Sequence, residues 1–335
     1  MTNTRALVFY LVAFATVSSA ARAAEFGNSH ADLGYVDTLV GISPPPGFYF
    51  RDDVEVITSN RLNDRNGNKV NLDLTAIGAG RYGVKFRNTV EEDIFSFAYV
   101  PDYKIPYINA TIGASAYAAV VNARAGVTTR IGIPEAAAND KAGYSDTTFV
   151  PIFFGFDIKG TSLQVILAPF DFTAPTGRYS RSDPIGNNIG NNYWSYRPAL
   201  EVTYLNKTGQ QLDLNLGSSF NSQNPATHYK TGNEIYFTYA AQQYLTPKFS
   251  FGVTGYYLKQ ISNDTVNGQV VNSSPATLDA LNAGPGNVGE TFAIGPVLSY
   301  NPKPYLFLQA HWDHELFAYN RYQREQVYFR GIVHF

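Results

Sequence analysis

Gln211-Leu212-Asp213-Leu214-Asn215-Leu216 is the stretch on which the fold turns. Leu212, Leu214, Leu216 and, further on, Phe220 take one parity; Gln211, Asp213, Asn215, Ser219 and Asn221 take the other. A strand has period two, so one face of this segment is greasy and the other wet. The pattern recurs from about residue 190 to the last residue, Phe335. Closed into a cylinder, such strands give a lipid-facing outside and a polar lumen. The expectation is an all-β fold: a transmembrane antiparallel up-and-down β-barrel of about twelve strands, monomeric, in a bacterial outer membrane.

The bulk composition of the 335 residues agrees. Tyr (24) and Phe (23) are abundant and only 16% of residues are charged, yet mean hydropathy is close to neutral. A helical membrane protein would be clearly apolar, whereas half of each barrel strand faces water. A net charge of −2 gives no footprint for nucleic acid. The lack of cysteine excludes disulfides and thiol or Cys-metal chemistry, and suits passage through an oxidising periplasm.

The chain opens with Arg5, then an apolar or small run from Ala6 to Ser18, then Ala21-Arg22-Ala23. This is the pattern of a secretory signal peptide over 1–23, with the mature chain starting at Ala24. Residues 24–46 end in Pro44-Pro45-Pro46, a stiff extended segment that cannot donate to a sheet. A periplasmic arm and a lumenal plug are both open for it. The barrel is expected over 47–335.

Its strands are expected near 47–60, 93–101, 108–122, 147–158, 163–179, 193–206, 211–224, 233–245, 249–264, 290–301, 304–319 and 322–335. Tight turns such as Lys159-Gly160-Thr161, Lys207-Thr208-Gly209, Thr246-Pro247-Lys248 and Asn301-Pro302-Lys303 alternate with long polar segments at 61–92, 123–146, 180–192 and 265–289. Ala318 to Asn320 is a short connection where a long one is expected. Short periplasmic turns and long outer loops are the habit of outer-membrane barrels, and an even strand count returns both ends to the periplasm.

Face assignment follows from parity. Trp194, Tyr196, Leu200, Val202 and Tyr204 point out, with aromatics at both ends and aliphatics between, as in an aromatic girdle. In the last strand Val327, Phe329, Gly331, Val333 and Phe335 point out. That tail resembles the recognition signal of the outer-membrane assembly machinery, with Val333 and Phe335 as its elements. Strands 147–158 and 163–179 are apolar on both faces, which predicts a greasy patch of lumen wall. Lys259 falls in an outward register close to a loop, within reach of lipid headgroup phosphates.

The inward residues Gln309, His311, Asp313 and Glu315 share one strand face. They can form a metal site, or a salt-bridge ladder with Arg330, or with Arg51, Asp53 and Glu55 across the closing seam. The ladder is preferred, because ligands usually converge from several strands. Arg197 and Glu201 complete the expected polar lining, and Tyr236 and Tyr256 are expected as aromatic contacts. A lipase-like site is disfavoured: His314 faces out beside Trp312, but the chain has no Gly-x-Ser-x-Gly and no Ser placed to pair with it. Nothing calls for a metal, cofactor or catalytic residue.

Several motifs together resemble the outer-membrane proteins of the meta-pathway phenol-degradation family. They are Pro44-Pro45-Pro46-Gly47-Phe48-Tyr49, Arg61-Leu62-Asn63-Asp64 with Asn66-Gly67, Ala174-Pro175-Thr176-Gly177-Arg178-Tyr179, Asn187 to Trp194 with Arg197-Pro198, Thr227 to Gly232, Gly255-Tyr256-Tyr257 with Gln260 and Asp264, and Gly295-Pro296 with Tyr300. The resemblance implies passive uptake of small hydrophobic or aromatic compounds, and carries no catalytic residues over. Implied partners are outer-membrane lipid and lipopolysaccharide, the assembly machinery and the solute. The alternative is a closed barrel that binds, senses or anchors at the surface. A lumen blocked by residues 24–46 and by large side chains would favour that alternative.

Overall fold

The computed structural model describes residues 29–31, 33–75, 78, 80–129, 137–181, 188–274 and 279–335. The expected signal peptide, 1–23, lies outside the described residues, as do 24–28 and Asn187. The wall strands are β1 (Gly47–Leu62), β2 (Arg81–Val100), β3 (Ala110–Thr129), β4 (Ala137–Tyr144 and Thr147–Asp157), β5 (Leu163–Ala168 and Phe172–Ala174), β6 (Ser195–Tyr196 and Ala199–Leu205), β7 (Gln210–Asn221), β8 (Glu234–Thr246), β9 (Phe249–Gln260), β10 (Glu290–Lys303), β11 (Leu306–Tyr319) and β12 (Tyr322–His334). Each pairs antiparallel with the next in sequence, and β12 returns to β1, so the twelve strands close into a barrel without edges. The seam runs from Tyr49↔His334 to Leu62↔Tyr322. It is finished by Phe335 N donating to Phe48 O at 2.9 Å and Phe48 N to Phe335 O at 3.3 Å.

Parity sorts the two faces as the sequence pattern requires. In β7, Leu212, Leu216 and Phe220 are exposed while Gln211, Asp213, Asn215 and Ser219 are buried. That is inside-out for a water-soluble protein and correct for a wall in lipid. Outward rings form two girdles. The upper one includes Phe149, Phe172, Tyr196 and Phe220, each 5.4–5.9 Å from the next. The lower one includes Phe48 against Tyr99 and Phe50 against Phe97.

Two of the expected long loops are instead largely strand. β2 begins at Arg81, β3 runs to Thr129 and β4 starts at Ala137, so 81–92 and much of 123–146 carry the wall upward. The pattern there inverts, which hides it from a search for greasy outer faces. Val84 and Phe86 are buried inward, while Lys85 and Arg87 face out. Above the bilayer the outside is water, so polar residues belong there. The inward ones join Leu62, Leu72, Leu281 and Tyr322 in an apolar core beneath the outer loops, which thus lid the mouth. The short strand Asn71–Asp73 in this lid pairs with the top of β2, where Asp73 accepts from Arg81 Nε at 2.7 Å.

Candidate functional site

Residues 29–31 and 33–44 run inside the barrel. A buried backbone needs partners for its polar groups, and lumen side chains supply them. Arg51 and Arg330 each donate to Tyr35 O at 2.5 Å. Gln326 donates to Leu33 O at 2.7 Å, Arg197 to His30 O at 2.5 Å and the Thr238 hydroxyl to Val36 O. Gly41 N donates to Thr203 Oγ1 at 2.9 Å. Gly34 has φ +82°, and a Cβ there would lie 2.9 Å from Asp313 Oδ2, so both conformation and space favour glycine.

The densest part of this contact is a polar latch on the seam. Arg330 Nε donates to Asp53 Oδ1 at 2.6 Å, and its Nη1 donates to Asp37 Oδ1 at 2.6 Å and Gln309 Oε1 at 2.7 Å. Arg51 Nε reaches Asp53 Oδ2 at 2.5 Å. His311 Nδ1 is 2.9 Å from Asp37 Oδ2, and its Nε2 lies 3.6 Å from Asp313 Oδ2. The seam therefore gathers Arg51, Asp53, His311, Asp313 and Arg330 around one arm carboxylate. Glu315 sits above, accepting from Arg324 N at 2.7 Å and from Tyr256 OH at 3.0 Å. Glu55 stands in register beside Glu92. Among the described residues no group of three or more His, Asp or Glu is arranged to hold a metal.

The other anticipated residues lie apart. Tyr236 and Tyr256 pack with Leu33, Leu258 and Ala293, and neither lines a cavity described below. Glu201 belongs to β6, on the far wall, and Arg197 sits in the break between the two segments of that strand. Arg197 Nε and Nη2 grip Asp171 at 3.2 and 3.1 Å, and Nη2 also donates to Tyr117 OH at 2.8 Å. Val333 faces out, and Phe335 is exposed at the lower rim.

The far wall carries the greasy patch. Val150, Phe153, Ile166, Ala168 and Ala199 cluster inward, with the tip of the Phe153 ring against Gly113, where a Cβ would sit 2.2 Å from Cζ. Between this patch and the arm lies a cavity of about 260 Å³, bounded also by Val40, Ile42, Tyr49, Arg51 and Glu201. Higher up are cavities of about 180 Å³, beside Glu55, Glu92, Ile94 and Tyr328, and about 220 Å³, beside His30, Asp146, Asn188 and Arg197. Arg324 borders both upper ones.

Sequence reasoning missed Asp37, Tyr35, Tyr117 and Arg324. Asp37 and Tyr35 sit in an arm without periodicity, so nothing local marks them. Tyr117 was legible: inward parity on β3 reads Gly113, Ser115, Tyr117, Ala119, Val121, one large polar-tipped ring among small residues.

Comparison with solved structures agrees with the architecture. The chain is similar to the COG4313 outer membrane channel from Pseudomonas putida F1, with 14% identity and a TM-score of 0.64 over 91% of this chain and 100% of that one. That likeness establishes the fold. The transport unit of the autotransporter AIDA-I from Escherichia coli (8% identity, TM-score 0.46, 90% and 95% of the two chains) is more distant. So is the CymD monoaromatic hydrocarbon channel (9%, 0.41, 87% and 89%); neither carries weight at that similarity. No curated protein matches the sequence. The closed barrel, its lipid-facing belt and its similarity to the Pseudomonas putida protein place the chain in a bacterial outer membrane. A family model matches residues 59–331, and the chain belongs to that family, described as "Putative MetA-pathway of phenol degradation".

Proposed function

We propose that the protein is an outer-membrane channel for passive entry of small hydrophobic or aromatic compounds, phenol-like catabolic substrates among them. The observation that carries this reading is the cavity between the apolar patch of the far wall and the arm, which Asp37, Arg51, Asp171, Glu201 and Arg330 also line. Ligand pockets usually run to roughly 300–1,000 Å³, so about 260 Å³ suits a solute of one ring. Its floor is Val150, Phe153, Ile166 and Ala199, and membership in a family named for phenol degradation points to the same chemistry. The reading assigns the chain no catalytic residue and no cofactor. Selectivity comes from width and lining, without energy coupling. The seam residues brace the wall and hold the arm. Val333 and Phe335 serve the assembly machinery, and the outward belt meets lipid and lipopolysaccharide.

A deletion strain should lag on dilute phenol and grow normally on succinate. The purified chain in planar bilayers should pass little current beside an open general porin, because a narrow greasy constriction resists wetting. Normal growth on dilute phenol together with a large, weakly selective current would replace this reading with a general porin.

A second reading has its own support: residues 29–31 and 33–44 fill much of the lumen and the outer loops lid the mouth. A barrel permanently closed in this way would bind, sense or anchor at the cell surface. It is distinguished by an uptake rate equal to that of the deletion strain, with binding of the labelled aromatic retained.

A further inference from the structure

We infer that Tyr35 and Tyr117 form an aromatic gate between a lower and an upper chamber of the solute path. This rests on the channel reading above. The lower cavity and the upper cavity of about 180 Å³ share two lining residues, Tyr35 and Tyr117. The two upper cavities have seven in common, Ser29, Glu92, Ser145 and Arg324 among them, so they make one chamber. Tyr117 borders all three spaces. The partition is therefore a pair of rings, one on the arm and one on the wall.

The rings are in contact, with centroids 4.7 Å apart and planes at 35°. Each is steadied by a cation. The Arg51 guanidinium lies 3.9 Å from the Tyr35 centroid, a cation–π distance. Arg197 donates to the Tyr117 hydroxyl at 2.8 Å, and the same guanidinium holds the arm at His30 O. A planar aromatic solute can replace one ring of the pair by stacking on the other, so little contact is lost while it passes. A branched aliphatic solute of equal size offers no such exchange. The gate thus selects for flat π-systems where the greasy wall selects only for apolarity. The polar upper chamber, with Glu92, Asn188 and Arg324, receives the hydroxyl of a phenol-like solute.

The test uses the full chain with Tyr117→Ala, Tyr35→Ala and Tyr117→Phe. Barrel assembly is checked first by heat-modifiable gel migration. Tyr35 lies on the arm and not on the wall, so its variant keeps the wall intact even if Tyr117→Ala fails to assemble. Both alanine variants should raise planar-bilayer current by roughly three- to tenfold, the range set by loss of one aromatic pair. In cells they should flatten the preference for labelled phenol over a labelled branched alcohol of equal size. Tyr117→Phe keeps the ring and should behave as the native chain. Unchanged current and unchanged preference in both alanine variants would overturn the gate, while phenol uptake above the deletion strain would leave the channel reading standing. If native and deletion cells take up phenol equally, the channel reading fails. The gate as an aromatic selector fails with it, whatever the current does.

Discussion

On the seam side of the lumen, β11 and β12 send His311 and Arg330 against Asp37 of the arm, while β1 sends Asp53 to Arg330 and Arg51 to Tyr35 O. On the far side, β4, β5 and β6 send Val150, Phe153, Ile166 and Ala199 inward and leave about 260 Å³ empty. One wall is a directional lock of charged pairs; the other carries an apolar patch and meets the arm through Arg197 at His30 O and Thr203 at Gly41 N. The difference shows how, on the channel reading, a barrel this narrow can be both plugged and permeable. The arm is held most densely at one wall, and space remains beside the other. Charged latch and greasy passage are therefore separable by mutation.

The largest effect is expected at the latch. Arg330→Met removes the guanidinium that joins Asp37, Asp53, Gln309 and Tyr35 O. Asp53 keeps Arg51 and Asp37 keeps His311, but breaking a buried pair by removing one partner still costs up to about 3–5 kcal/mol. The heat-modifiability midpoint should fall, and residues 29–46 should become open to protease while the barrel stays folded. An arm that stays protected in this variant would show that its remaining bonds, among them Arg197 to His30 O, Gln326 to Leu33 O and Gly41 to Thr203, suffice to hold it.

Next comes the outer face of the same seam. Val333 points to lipid and its neighbour His334 points inward, stacked 4.5 Å from Tyr49. A charge on the lipid face costs roughly 2–4 kcal/mol at mid-membrane and less near the rim. Val333→Asp and deletion of Phe335 should therefore lower outer-membrane levels well beyond His334→Asp. Equal losses would mean that the face assignment of β12 is wrong.

A smaller effect sharpens the far wall. Phe153→Leu keeps an apolar lining and widens the cavity above Gly113, at a cost of about 1 kcal/mol. The thermal midpoint should barely move, whereas uptake should extend to bulkier aromatics. If Phe153→Leu instead frees the arm, as Arg330→Met should, the division between the two walls is wrong.

How far the sequence could be read follows the same physics. Lipid outside and polar groups inside impose period two on most wall strands and made them legible, while 147–158 and 163–179, apolar on both faces, were legible as apolar runs around the tight turn Lys159-Gly160-Thr161. The upward extensions of the wall strands were not: at 81–92 the outside is water, and Val84 and Phe86 turn inward to a loop core that a single strand cannot disclose. The latch was half legible. Arg330 facing Asp53 follows from closing β12 on β1, but Asp37 comes from an arm with no repeating pattern, and its place opposite His311 is set by the threaded chain. Tyr117 could be found by parity; its partner Tyr35 could not.

The smallest effect lies in the lid, which covers both walls and belongs to neither. Asp73 is half-buried beside Arg81, and its carboxyl is held down to about 2, first by the hydrogen bond from the Thr75 hydroxyl and then by the Thr75 amide and Arg81. A carboxyl depressed in the folded state adds stability above its ordinary value of 3.8, and loses it as the pH falls through about 2. Solvent and salt screen the Arg81 contribution. Acidification across that window should therefore raise amide exchange locally in the strand Asn71–Asp73, once intrinsic exchange rates are divided out, and Asp73→Asn should abolish the change. The latch, buried beneath, should keep its protection in the same experiment. If the arm and the lid loosen together, the lid is coupled to the seam, and the mouth and the plug open as one unit.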